Sequence, residues 1–305
     1  MDGDILGSIC EVIDAGRVSF EEPMDRHTTF RVGGKADVLV KPKDISEIEA
    51  VIQWCNNHSV PYYIIGNGSN LLVGDEGIRG VVILLGTEFS KIEATDDETI
   101  WVQAGCLLSK AAKKAQELGL TGMEFAYGIP GTIGGAVVMN AGAYGGEMKD
   151  VIDSVTLLTP DDEIIILPSD QMEFGYRQSI VTRKNYIVLE VKLCLKKGEK
   201  KAIAEKMQEL SEARRQKQPL EYPSAGSTFK RPEGYYAGKL IMDSGLAGFR
   251  VGDAEVSEKH CGFVINRGHA TAKDIETLMD AVIRQVEEHY QVILEPEVRK
   301  MGDFL

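Results

Sequence analysis

No two of the five cysteines in this 305-residue chain form a C-x-x-C pair; Cys10, Cys55, Cys106, Cys194 and Cys261 are scattered and odd in number. That spacing suits neither a disulfide framework nor a thiolate metal site, so free thiols in a reducing cytoplasm are expected. No apolar run reaches the length of a membrane span, and the opening residues MDGDILGSICEVIDAG are acidic where a secretory leader is basic. Cations are in deficit, the net charge being −13. A nucleic-acid backbone or an anionic bilayer would be repelled by that mean field, so neither nucleic acid nor membrane insertion is expected. The five histidines, His27, His58, His260, His269 and His289, show no metal-ligand spacing, so no metal is expected. A Walker G-x-x-x-x-G-K-[ST] run is missing too.

What the chain has in excess is glycine in one place. Thr121 to Gly146 (TGMEFAYGIPGTIGGAVVMNAGAYGG) holds eight glycines, and no charged residue occurs from Phe125 onward. Glycine permits positive φ and removes the Cβ, so main chain there can approach a large flat or phosphorylated ligand, or can fold as a tight turn-rich hairpin with no ligand. A second glycine loop, Gly66-Asn67-Gly68-Ser69-Asn70, follows an expected strand at 60–65. It resembles G-x-G-x-x-G, but Leu71 stands at the third glycine and no helix pattern follows, which rejects the dinucleotide reading. An anion nest of consecutive N–H groups suited to a pyrophosphate remains, beside a plain Asn/Ser-stabilised turn.

Length predicts about two domains, and 43% apolar residues suffice for a core in each. Alternation predicts strands at 35–41, 99–104, 151–158, 163–167, 186–195 and 261–266. Periodicity and caps predict a helix from Asp44 with Glu47 completing a capping box, one over 108–118 ended by Gly119, a charged one over 199–217, and one capped by Thr271 and Asp274. The region 20–198 reads as an α+β unit with two ligand-facing loops. Near the last third, Arg214, Arg215 and Lys217 precede PSAGSTFKRP, with Lys230 and Arg231 at its end. In an acidic chain that cluster is a phosphate seat or a solvated linker face. Val292 to Arg299 closes the pattern, with Glu295 and Glu297 flanking Pro296 near a strand end.

Five motifs in order, IIGNGSNLLV, IPGTIGGAVVMNAGAYGG, FGYRQS, SAGSTFKRP and LEPEVR, span almost the whole chain. Together they resemble the UDP-N-acetylenolpyruvoylglucosamine reductase (UDP-N-acetylmuramate dehydrogenase) family. The resemblance implies an α+β chain with the vanillyl-alcohol-oxidase type FAD-binding fold over 1–200 (subdomains about 1–85 and 86–200), then a smaller α+β substrate-binding domain over 201–305. It implies noncovalent FAD, NADPH as co-substrate, and cytoplasmic reduction of an enolpyruvyl UDP-sugar for peptidoglycan synthesis, hydride passing through flavin N5. By motif, Ser227 is the proton donor, while Arg177 and Glu297 stabilise the enol-like intermediate. Gly66, Asn67, Gly68, Ser69 and Asn70 fall to the FAD pyrophosphate; Gly131, Thr132, Gly134, Gly135, Asn140 and Ala141 fall along the isoalloxazine and its linker. Lys217, Lys230 and Arg231 fall to the phosphates of UDP or NADPH, though some members carry asparagine where Arg231 stands. Only Ile180 to Asn185 separates FGYRQS from the next strand, as in the branch of the family that lacks an inserted loop there. His27 is read as structural.

Overall fold

The computed structural model describes residues 3–304. Its helices begin and end where side chains and glycine satisfy the backbone groups a helix leaves open. Leu108–Leu118 stops at Gly119, which takes the left-handed conformation at φ 75° and needs no Cβ allowance there. Ala272–Tyr290 starts from Thr271 and Asp274, each accepting the other's main-chain N–H. Ile45–Asn57 starts from Asp44, whose carboxylate accepts from Glu47 N–H. The expected box is incomplete: Glu47 accepts instead from Lys43 N–H and pairs with the Arg17 guanidinium. A carboxylate close to a guanidinium gains more than one close to a neutral N–H, so Glu47 turns that way. The hydrogen bond to Arg17 is also the largest cause holding the Glu47 carboxyl below its usual value.

The chain divides into two compact units. The first is 1–19, 39–67 and 82–214; the second is 20–38, 68–81 and 215–305. In the first, a five-stranded antiparallel sheet has the order Ile164–Pro168, Ile152–Leu158, Ile187–Cys194, Thr99–Gln103, Ile92–Ala94. Its central strands bury Ile152, Val155, Leu157, Ile100 and Val102, and Thr99 and Gln103 are buried as well, so the strand Thr99–Gln103 is covered on both faces. The glycine stretch is not wholly irregular, because Ile133–Val138 forms a short helix beside the strand Ile187–Cys194.

In the second unit, Arg250–Val251, Ala254–Val256 and Val264–Asn266 form an antiparallel sheet. The helix Ala272–Tyr290 packs on it, its stripe Ile275, Leu278, Met279, Val282 and Val286 joining Phe30, Leu72, Phe229 and Leu294 in one core. The strand expected at 261–266 starts only at Val264, because the main chain of Gly262 and Phe263 bonds instead to the Thr228 N–H and the His260 carbonyl. Arg299–Met301 pairs in parallel with Leu71–Val73. Glu295 and Glu297 thus precede a strand rather than ending one.

Candidate active site

Within the first unit the two glycine loops touch. An added Cβ at Gly66 would lie 2.3 Å from the Thr132 hydroxyl, and Asn67 Nδ2 donates to the Pro130 carbonyl at 2.7 Å. The glycines of the long stretch then fall into two sets. A Cβ at Gly134 would meet the Ala104 Cβ at 2.9 Å, one at Gly142 the Gly146 carbonyl at 2.8 Å, and one at Gly146 the Phe125 ring at 2.7 Å. These are glycine because protein packs against them. At Gly135 only the Thr132 hydroxyl comes near, at 3.6 Å, and at Gly145 nothing lies within 4 Å. Those two leave open main chain for a ligand's flat face. Most main-chain donors here are committed: Gly131 N–H to the Ile129 carbonyl, Gly134 to Ala104 and Ala141 to Ala136. Thr132 is also committed, capping Ile133–Val138 through Gly135 N–H.

Asn140 is the hinge of this loop system. Only 1% exposed, it holds left-handed backbone at φ 40°, which asparagine tolerates better than other non-glycine residues. Its Nδ2 donates to Glu147 Oε2 at 2.9 Å and to the Gly175 carbonyl at 3.1 Å, and its Oδ1 accepts from Lys149 N–H at 3.0 Å. Gly175 and Gln178 close a four-residue turn with reciprocal main-chain hydrogen bonds, and Arg177 is its third residue, at φ 56°. Left-handed backbone at a bulky residue costs about 1–3 kcal/mol and persists only where surroundings over-determine it. Here the surroundings are Asn140 below the turn and Ser179, whose hydroxyl donates to the Val138 carbonyl at 3.0 Å. The guanidinium of Arg177 lies 5.0 Å from the Tyr176 ring centroid. Glu147 is held below its usual carboxylate value chiefly by Lys149, with Asn140 and Arg177 assisting.

Within the second unit three more motif segments converge. Gly226, at φ 75° with open space around it, turns the chain into Ser227, which is exposed. Thr228 is fully buried, its hydroxyl accepting from Val264 N–H at 2.9 Å. The run then pairs with the glutamate segment: Glu297 N–H donates to the Thr228 carbonyl and Lys230 N–H to the Glu295 carbonyl, both at 2.8 Å. Phe229 and Pro296 form the bridge between them. Asn70 locks the other side of Glu297, donating from Nδ2 to its carbonyl at 3.1 Å, while Arg299 N–H donates to the Asn70 carbonyl. The Ser227 and Glu297 main chains are thereby fixed in adjacent register, with the Glu297 side chain half-buried.

Gly68, at φ 60°, is obligatory, since a Cβ would sit 1.9 Å from the His27 carbonyl. His27 Nε2 is 2.8 Å from Glu22 Oε1, a structural setting. The main-chain N–H groups of Gly68 and Ser69 donate to no group among the described residues, which suits a bound pyrophosphate. In the first unit, the open faces of Gly135 and Gly145 leave room that suits a flavin ring. Of the cations, Lys217 is exposed at its helix end, Lys230 Nζ pairs with Glu295 at 3.0 Å, and Arg231 stacks over Tyr236 at 4.1 Å.

Sequence reasoning missed the anchoring work of Asn70 and Asn140 and the burial of Thr228. For Asn140 a signal existed, a lone asparagine before Ala-Gly in an otherwise apolar run. Among the described residues no group of three or more His, Cys, Asp or Glu side chains could hold a metal ion, and no helix is long and apolar enough to cross a membrane.

Residues 36–167 match the family model for the FAD binding domain, and residues 218–301 match that for the UDP-N-acetylenolpyruvoylglucosamine reductase C-terminal domain. A UDP-N-acetylenolpyruvoylglucosamine reductase of Lachnoclostridium phytofermentans is 53% identical over 99% of both chains, and one of Clostridioides difficile is 48% identical over 98% of both. The solved reductase of Thermus caldophilus superposes with a TM-score of 0.78 at 38% identity, covering 93% of this chain and 98% of that one. An alkyldihydroxyacetonephosphate synthase aligns at a TM-score of 0.50 and 16% identity over 65% of this chain and 42% of its own, a likeness of fold alone. The architecture is accordingly α+β, of the vanillyl-alcohol-oxidase type with a smaller C-terminal domain. On full-length identity and on both domain models, the chain belongs to the UDP-N-acetylenolpyruvoylglucosamine reductase family.

Proposed function

We propose that this chain reduces UDP-N-acetylglucosamine enolpyruvate to UDP-N-acetylmuramate with NADPH, in the cytoplasm, as a step in building peptidoglycan precursors. Residues 1–200 serve chiefly to hold FAD and 201–305 to hold the UDP-sugar. The observation that supports the catalytic reading is the main-chain pairing of 228–230 with 295–297, which holds Glu297 opposite Thr228, one residue from the exposed Ser227.

Bound FAD supplies a two-electron carrier between NADPH and the enolpyruvyl alkene. The Gly68 and Ser69 N–H groups would hold its pyrophosphate, and Gly135 and Gly145 would leave room for its ring. Hydride addition at the terminal alkene carbon leaves negative charge spread toward the substrate carboxylate, and Arg177, set by its strained turn, neutralises that charge. Ser227 donates the proton to the adjacent carbon. A serine hydroxyl is a weak acid in water, so the transfer requires a closed, polar-supported site. Glu297, held by Thr228 and Asn70, orients and polarises the reacting group. Lys217, Lys230 and Arg231 bind ligand phosphates, the last two by exchanging their present partners Glu295 and Tyr236 for phosphate oxygens.

The test separates two half-reactions under anaerobic conditions. NADPH bleaches the yellow protein, and the enolpyruvyl UDP-sugar restores the colour. In Ser227→Ala bleaching is unchanged, while recovery slows by about 10²–10⁴-fold, the usual contribution of general acid catalysis. Normal recovery in that variant removes Ser227 from the mechanism; failure of the wild-type protein to recover removes the substrate assignment.

A further inference from the structure

Arg214 is the one half-buried cation of the cluster 214–217, Arg215 and Lys217 being exposed, and it has no part in the proposed reaction. It lies near the end of the helix Lys200–Lys217, with its side chain laid against the glycine stretch: a Cβ at Gly128 would come 3.0 Å from its Cδ and 3.9 Å from its Nε. Among the described residues its side chain forms no ion pair and no hydrogen bond. Its electrostatic neighbour is Tyr144, and burial pushes its guanidinium below the usual arginine value. Tyr144 itself sits at φ 52° in the two-residue turn between Gly142–Ala143 and Gly146–Glu147. Asparagine or glycine is favoured there, because both central residues need positive φ.

A guanidinium stays charged at any physiological pH, and a charge withdrawn from water without a counter-ion is strongly unfavourable. Two other half-buried cations have carboxylate partners: Arg17 has Glu47 and Lys230 has Glu295. Helix position alone does not account for Arg214, since the negative end of the helix is equally available to the exposed Arg215 and Lys217.

We propose that Arg214 is an anion anchor, completed by a phosphate group of a ligand lying along the glycine stretch between Gly128 and Tyr144. This rests on the reductase reading, which supplies three phosphate-bearing molecules: FAD, NADPH and the UDP-sugar. The planar fork of arginine suits two phosphate oxygens, and a Cβ at Gly128 would press on the stem that carries the fork.

The experiment uses purified holoenzyme of the wild type, Arg214→Met, Arg214→Lys and Gly128→Ala. Three quantities are measured: FAD lost on dialysis, the dissociation constant for UDP, and the NADPH concentration that half-bleaches the flavin. In Arg214→Met one of the three weakens by about 10- to 100-fold, the range for a hydrogen bond to a charged group, and the arm that moves identifies the phosphate. Arg214→Lys recovers part of the loss and Gly128→Ala shows a smaller loss in the same arm. The melting temperature without added ligand holds or rises in Arg214→Met, because an uncompensated charge has gone. The proposal is overturned if all three quantities stay within two-fold of wild type, or if they fall together with the melting temperature, the mark of a merely structural arginine. Wild-type protein that binds no UDP would instead overturn the reductase reading.

Discussion

Asn140→Ala tests whether the loop system under Arg177 works by positioning. The substitution removes a carboxamide that satisfies Glu147, the Gly175 carbonyl and Lys149 N–H at 2.9, 3.1 and 3.0 Å. Glu147 keeps Lys149 Nζ at 2.8 Å, and Lys149 and Gly175 have some access to water, so each of the two orphaned main-chain groups falls at the low end of the usual range, about 1 kcal/mol. Alanine at φ 40° adds roughly 1 kcal/mol, since only glycine, asparagine and aspartate adopt that region readily. The sum, about 3 kcal/mol, corresponds to roughly 6–12 °C in melting temperature for a protein of this size class. Differential scanning fluorimetry reads the shift, and anaerobic stopped-flow reads the consequence. With the Gly175–Gln178 turn released, the oxidative half-reaction slows while the flavin-to-protein absorbance ratio is retained. Retained melting temperature with lost flavin would refute the argument, because it would mean that Asn140 contacts the cofactor and does not brace the turn.

Two further outcomes are expected. Gly134→Ala destabilises by about 1–3 kcal/mol through its 2.9 Å approach to Ala104, whereas Gly135→Ala, facing open space, leaves the melting temperature level but loosens FAD; equal stability losses in the two would refute the division of the glycines. His260 is pushed below its ordinary value by burial, and its Nδ1 accepts from Gly262 N–H at 3.2 Å. A depressed histidine contributes stability that is fully present above its unfolded pKa and is lost as pH falls through about 6.5 toward the folded value, so His260→Gln flattens the fall in denaturation midpoint between pH 7.5 and 5.5; an unchanged slope would refute it.

Much of this molecule is legible in the order of its residues. The ends of Leu108–Leu118, the Thr271–Asp274 box and the sheet strands at 152–158 and 187–194 follow from caps and alternation, which are local. Position-specific roles within the glycine stretch are not local. Gly134 and Gly135 are neighbours with opposite duties because one faces Ala104 and the other faces outward, and no sequence pattern distinguishes them. Asn70 reads as part of an anion nest or of a turn braced by its own side chain, yet its amide fastens a carbonyl 227 positions away. Glu47 shows the remaining gap: a correct cap motif was redirected by an arginine 30 positions upstream.

The parallel pairing of Leu71–Val73 with Arg299–Met301 has a bearing on biosynthesis. At about 5–20 residues per second a ribosome needs roughly 10–50 s between making the two strands. Throughout that interval the first strand has a bare edge and the segment carrying Glu297 does not yet exist. The nascent chain can thus complete its central antiparallel sheet early, whereas the loop at Asn70 and the strand after it are fastened only once residues 297–301 have been made.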